Sequence, residues 1–123
     1  MNVRVLIVDD QEPFRSVARE VAEAAGGFEV VGEAASGEES VDLARSLRPD
    51  LILMDVNLPG MDGTEATRRI RAASAEIKVL LLSTYEDEEY ADRAQECGAM
   101  GYLPKSAFDP EVLASIWSSA GEG

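Results

Sequence analysis

Leu51-Ile52-Leu53-Met54 is an apolar run without polar alternation that ends on one carboxylate, Asp55, before Pro59-Gly60 and Asp62-Gly63 break the chain. A run of this kind is covered on both faces, as in a central strand of a parallel sheet, and the Pro-Gly and Asp-Gly pairs mark the loop that leaves it. Asp55 is therefore predicted at the carboxyl end of a strand, in the crevice where open α/β sheets bind ligands. The arrangement recurs. Asp9-Asp10, Ser83, Tyr102 and Lys105 also sit at the ends of short apolar runs, so the strand ends are predicted to converge on one pocket.

The rest of the chain supplies the covering helices. Val3 to Val8, interrupted only by Arg4, reads as a buried strand, and Pro13 suits the first turn of the helix after it. Phe14, Val17, Ala18, Val21, Ala22 and Ala25 recur at helical spacing up to Gly26-Gly27, which predicts one apolar helix face. Phe28 to Ala34 is a second strand. Ser36 with Glu39 three residues on is a capping-box pattern opening a helix to about Leu47. Ala66, Thr67, Ile70 and Ala73 mark a third helix, with Arg68, Arg69 and Arg71 expected on its solvated face. Ile77 to Leu82 predicts a fourth strand, Glu86 to Glu89 an acidic helix start, Tyr90, Ala91, Ala94 and Cys97 its inner side, and Gly98 its cap. Met100 to Leu103 is a short fifth strand, and Val112, Leu113, Ile116, Trp117 and Ala120 trace a last helix. Alternating elements with right-handed crossovers predict a doubly wound, five-stranded parallel sheet of order 2-1-3-4-5, the flavodoxin-like (βα)5 plan. At 123 residues the chain is expected to form one domain, residues 1–123.

Charge and residue usage exclude several functions. With 24 acids against 11 bases, a net charge of −13, the chain is not expected to bind nucleic acid directly. It contains no His, which removes Ser-His-Asp triads, Cys-His pairs and His-ligated zinc. One cysteine, no leader pattern and no apolar run near the length of a membrane span predict a cytoplasmic protein without a disulfide or a membrane segment. Asp9, Asp10 and Asp55 at adjacent strand ends would repel one another unless a cation sat among them. Oxygen-only donors favour Mg²⁺ or Mn²⁺ over zinc. The plainer reading, a helix cap at Asp9-Asp10 and a turn residue at Asp55, accounts for any one acid but poorly for all of them together with Lys105.

RVLIVDDQEPF, LILMDVNLPGMDG, LLLST and GAMGYLPK resemble the receiver domain of bacterial two-component response regulators over essentially the whole chain, and VVGEAASGEE and EATRRI are similar to its NarL/FixJ-type branch. The resemblance implies that Asp55 accepts a phosphoryl group from the phosphohistidine of a histidine kinase or phosphotransfer protein. It implies Mg²⁺ held by Asp10, Asp55 and the backbone oxygen of Asn57, with Asp9 acting through water. Ser83 and Lys105 match the groups that contact the phosphoryl oxygens, and Ser83 with Tyr102 matches a switch pair. Asn57 and Tyr85, two residues beyond Asp55 and Ser83, are expected to tune dephosphorylation. Readout is expected on the face of helix four, strand five and helix five, which is also where a dimer would form. The expected output is a downstream effector protein or the chain's own DNA-binding domain controlling transcription, and both stay open. Such a protein is not an enzyme, although it catalyses its own phosphoryl transfer and slow autodephosphorylation.

The chemistry agrees with these roles, because phosphoryl transfer needs alignment and charge neutralisation more than a separate base. The resemblance departs at one point. Many receivers carry a cis proline after the lysine, whereas here Pro104 precedes Lys105 and Ser106 follows. Cys97 reads as a small buried residue, Trp117 as packing, and Gly98 to Gly101 as no dinucleotide fingerprint. Two other readings remain. A haloacid-dehalogenase-type phosphatase also uses an Asp nucleophile, Mg²⁺ and Lys, and Met61-Asp62-Gly63-Thr64 mimics part of its signature, but its second Asp falls where this chain has Asn57. A pseudo-receiver binding module would lack acids or the lysine, and none is missing.

Overall fold

The computed structural model describes residues 2–84 and 88–121. Strands β1 (Val3–Val8), β2 (Phe28–Ala34), β3 (Leu51–Asp55), β4 (Lys78–Ser83) and β5 (Gly101–Pro104) form one parallel sheet of order β2-β1-β3-β4-β5, as predicted. Helices α1 (Glu12–Ala25), α2 (Gly37–Leu47), α3 (Gly63–Ala73) and α4 (Glu88–Cys97) make the crossovers, and a 3-10 turn, Lys105–Ala107, and helix α5 (Pro110–Gly121) follow β5. Strands β4 and β5 each start one residue later than the apolar runs suggested: the Ile77 amide is spent on the Ser74 carbonyl in the turn before β4, so Lys78 is the first residue paired with β3, and in β5 the first paired residue is Gly101, opposite Leu80.

The two-residue period of the inner strands divides the core into two layers. Leu6, Val8, Ile52, Met54, Val79 and Leu81 face α2, α3 and α4. Val5, Ile7, Leu51, Leu53, Leu80 and Leu82 face α1 and α5. All twelve are essentially inaccessible, which is why their run of the sequence shows no alternation. Among the described residues, no helix is long and apolar enough to cross a membrane.

Local chemistry sets the helix ends. The Ser36 hydroxyl accepts from the Glu39 amide at 3.1 Å, and the Glu39 carboxylate accepts from the Ala35 amide at 2.7 Å, so the capping box forms with its return bond one residue earlier than the usual pattern. Ser36→Ala is expected to cost about 1 kcal/mol in urea unfolding. A loss below about 0.3 kcal/mol would mean that this cap is not what starts α2.

Two expectations are corrected. Val17, predicted on the inner face of α1, is 47% exposed, because Ala18 and Ala22 make the contact with the sheet and the helix face is narrower than its apolar spacing. Arg71, predicted as solvated, is half-buried, and its guanidinium donates to the carbonyls of Ala75 and Ile77, closing the α3–β4 turn. Arg68 and Arg69 do lie in solvent, where both pair with Glu65. Elsewhere Arg4 donates to the carbonyls of Leu47 and Arg48, and Arg15 and Arg19 pair with Glu33, whose carboxyl they hold below its ordinary range, Arg19 most strongly. Cys97 is buried, burial pushes its thiol up, and it donates to the Ala94 carbonyl. Trp117 packs edge-on against Phe28, with 6.4 Å between ring centroids.

Candidate functional site

At the carboxyl ends of β1 and β3, the sheet places two acids that its own hydrophobicity has buried. Asp9 is 1% exposed and Asp55 4% exposed, while Asp10, one residue beyond the ladder, is exposed. Ligand atoms from the three carboxylates lie within 4.8 Å of one another. Backbone bonds hold both loops. The Asp9 amide donates to the Ala34 carbonyl at 3.0 Å, and the Val56 amide donates to the Leu82 carbonyl at 2.9 Å, extending each ladder one step past the strand end.

The loop after Asp55 returns sharply. The Gly63 amide donates to the Val56 carbonyl at 3.0 Å, and a Cβ at Gly63 would collide with the carbonyl oxygen of Asp55. Glycine is therefore required for α3 to start against the site. Asp62 caps α3, accepting from the Glu65 amide at 2.9 Å and the Thr64 hydroxyl at 2.7 Å. Burial pushes its carboxyl up, and these bonds together with Arg93 outweigh that and hold it below the ordinary value. The Met61-Asp62-Gly63-Thr64 sequence is thus a helix cap beside the site.

Lys105 reaches in from the turn after β5. Its Nζ is 2.6 Å from Asp9 Oδ2 and 3.8 Å from Asp55 Oδ2, so in this structure it is paired chiefly with Asp9. Asp9 also accepts from the Gln11 amide at 2.8 Å, and its backbone carbonyl accepts from Arg15 at 2.7 Å. Lys105 Nζ lies 4.3 Å from the ring centroid of Phe14, a cation–π contact. Phe14 was assigned only to the core from its spacing. Its signal was an aromatic residue in the first turn of the helix that leaves the Asp9-Asp10 pair.

The Asp55 carboxyl is pushed up from its ordinary 3.8 to about 6. Burial is the largest cause, the neighbouring Asp9 carboxylate adds to it, and Lys105 and the Asn57 amide only partly offset them. Asn57 is exposed; its amide approaches Asp55 Oδ1 at 3.2 Å and its Nδ2 approaches Ser83 Oγ at 3.5 Å. Ser83, fully buried at the end of β4, thereby joins the cluster. Tyr102 lies one strand over, half-buried, in register with Leu81 and packed on the layer that faces α4. Tyr85 lies outside the described residues, as do the side chains of residues 86–91 and 120. No cis peptide bond occurs among the described residues, including the step from Lys105 to Ser106.

The donor set suits a hard divalent cation. All its atoms are oxygens, one acid opens to water, and Lys105 only partly offsets the burial and the neighbouring Asp9 carboxylate that push Asp55 up.

The profile of the response regulator receiver domain family matches residues 5–117. The response regulator UvrY of Escherichia coli K12 is 39% identical over 116 residues, which cover 94% of this chain and 53% of UvrY. The chain spans about half the length of the curated relatives it matches. The receiver domain of the response regulator NarL from Mycobacterium tuberculosis superposes with a TM-score of 0.89 at 31% identity, covering 98% of this chain and 97% of that one. The structure of a CheX-CheY-BeF3-Mg²⁺ complex from Borrelia burgdorferi contains a chain that superposes with a TM-score of 0.82 at 25% identity, covering 95% of this chain and 87% of that one.

Proposed function

The chain belongs to the response regulator receiver domain family of two-component systems, and from that premise we propose that residues 1–123 act as one receiver unit that takes a phosphoryl group onto Asp55. The single observation that carries the choice of Asp55 is its position: it is the buried carboxylate that lies within 3.8 Å of Lys105 and also meets the amide of Asn57, whose side chain reaches Ser83. Transfer forms a bond between an Asp55 carboxylate oxygen and phosphorus and breaks the phosphorus–nitrogen bond of a partner phosphohistidine, whose nitrogen keeps the electron pair. An ionised Asp55 needs no separate base. Lys105 would leave Asp9 to meet the arriving phosphoryl oxygens, and Ser83 would donate its hydroxyl to one of them.

A Mg²⁺ or Mn²⁺ ion would be held by Asp10, Asp55 and the backbone oxygen of Asn57, with Asp9 acting through water. When bound it supplies the charge neutralisation that the acids otherwise withhold from an incoming anion. The BeF3 and Mg²⁺ of the Borrelia complex support this reading. The test is labelling by acetyl phosphate. Label is expected with Mg²⁺, and none with chelator or in Asp55→Asn. Asp10→Ala is expected to weaken Mg²⁺ more than Asp9→Ala; label that persists in Asp55→Asn would move the acceptor elsewhere.

The output we propose is protein contact, either with a downstream effector or with a DNA-binding domain of the same protein, in the cytoplasm. Slow autodephosphorylation, tuned by Asn57 and Tyr85, would reset the state without making the protein a turnover enzyme. Phosphorylation would draw Ser83 toward Asp55 and let the half-buried Tyr102 turn inward, changing the α4-β5-α5 face on which a dimer or partner forms. Beryllofluoride with Mg²⁺ is expected to shift amides across β5 and α5 in the wild type, and far less in Ser83→Ala. Shifts of equal size in the variant would break the link between hydroxyl and face.

A further inference from the structure

Away from the acidic end of the sheet, α2 and α3 flank an open cavity of about 610 Å³. Its lining carries three positive side chains, Arg45, Arg48 and Arg69, against one negative, Glu76. This is unusual in a chain of net charge −13. The other arginines are held by carboxylates, hydroxyls or carbonyls. Arg69 itself pairs with Glu65 from outside. Among the described residues, Arg45 and Arg48 are the arginines whose guanidinium groups have no hydrogen-bond or ion-pair partner within the protein; both are exposed to solvent and line this cavity. The dipole at the end of α2 accounts for one cation in its last turn. It does not account for two unpartnered arginines around a recess to which a second helix adds a third.

The backbone gives an independent sign. Arg48 has φ 49 and ψ 61, and among the described residues it is the one non-glycine with positive φ. Glycine takes that conformation without cost and is the usual residue just past a helix end. An arginine is kept there at the expense of backbone energy, and the same position supplies a side chain to the cavity.

We propose that this cavity is a binding site for a phosphate monoester carried on a flat ring, the chemistry of a purine mononucleotide. Guanidinium groups bind phosphate oxygens in pairs and lie flat on aromatic rings. Arg45, Arg48 and the Ser74 hydroxyl supply the phosphate end. Ala44 from α2 with Ile70 and Ala73 from α3 supply the apolar part of the lining, against which a flat ring would lie. The volume falls in the range of small-molecule pockets. Charge farther away on the acidic surface is screened over about 8 Å at physiological salt, so the local positive cluster decides whether an anion enters. The site does not depend on Asp55 or on any metal.

The experiment is an amide-shift titration of the whole chain with adenosine 5′-monophosphate in excess chelator, which keeps phosphate off the acidic pocket. Saturable shifts are expected at Arg45, Arg48, Ile70 and Ser74, with a Kd of about 1 mM or tighter. Inorganic phosphate and adenosine, tested separately, are each expected to bind at least about tenfold more weakly, since each reaches only half of the site. Arg48→Gly is the deciding variant. It relaxes the backbone, so its unfolding midpoint is expected to hold or rise, while nucleotide binding falls about tenfold or more. Absence of saturable shifts up to about 10 mM, shifts centred on Asp9 and Asp55, unchanged affinity in Arg48→Gly, phosphate binding as tightly as the nucleotide, or an acidic peptide occupying the cavity where the nucleotide does not would each overturn the proposal.

Discussion

Asp55→Asn is expected to stabilise the metal-free protein by about 3 kcal/mol near pH 8 while abolishing its phosphorylation. The magnitude follows from a carboxyl raised from 3.8 to about 6, each unit being worth about 1.4 kcal/mol. The sign follows from the direction of the shift. The folded chain holds this proton more tightly than the unfolded chain, so the contribution is fully present below about pH 4 and is lost as pH rises through about 6. The variant cannot lose it. Its advantage should therefore be absent near pH 4, grow up to about pH 6 and stay level above. Millimolar Mg²⁺ should narrow the gap by stabilising only the wild type, since a cation among the acids favours the ionised form. Urea unfolding at a series of pH values, with chelator and with Mg²⁺, measures all of this. A pH-independent gain would show that Asp55 is ionised at ordinary cost and that its burial is not what prepares the site for a cation.

Lys105→Ala should act in the opposite direction on stability. Its ammonium sits 2.6 Å from a carboxylate that is 1% exposed, and truncation leaves that charge buried with only the Gln11 amide and solvent to face it. A loss of about 3 kcal/mol in chelator is expected, typical of removing one partner of a buried pair. Two further measurements separate this from simple loss of packing on Phe14. Mg²⁺ should return much of the stability, because it restores positive charge to the acids. In Asp9→Asn the same truncation should cost clearly less, because the nearer buried carboxylate is gone and only Asp55, 3.8 Å from Lys105, is left behind. Phosphorylation by acetyl phosphate should fall about a hundredfold with Mg²⁺ present, the usual cost of removing one preorganised positive group from a developing anion. If the cost in Asp9→Asn equals that in the wild type, Lys105 acts through its contact with Phe14 and not through the pair.

How much of this was legible beforehand differs from residue to residue. Strand order, the two-layer core and the meeting of Asp9, Asp10, Asp55 and Lys105 follow from runs and their endings. A parallel sheet with short crossovers sends every strand's carboxyl end to one edge. Ser36 and Glu39 were readable because capping is local. Val17 was misplaced for a related reason: spacing tells that a side chain lies on the apolar half of a helix, but not where the sheet stops touching it. Arg71 was misread because the carbonyls of Ala75 and Ile77 converge on it only when the α3–β4 turn closes.

Within the site, the sequence by itself determined which residue types arrive and at which strand ends, because period, apolar runs and turn residues act over a few neighbours. Only the tertiary structure decided how they share charge. Lys105 could have paired with either buried acid. It lies on Asp9, 96 residues away, where the Phe14 ring and the Gln11 amide steady the pair, and Asp55 is left raised and poorly compensated. The unpartnered arginines of the α2–α3 cavity were equally invisible, since each looks like an ordinary surface cation until two helices pack and show that no carboxylate has come to meet it. The physical reason is the same in both cases. Electrostatic pairing is fixed by distances of a few ångströms between segments far apart in the chain, and those distances exist only once the sheet has formed.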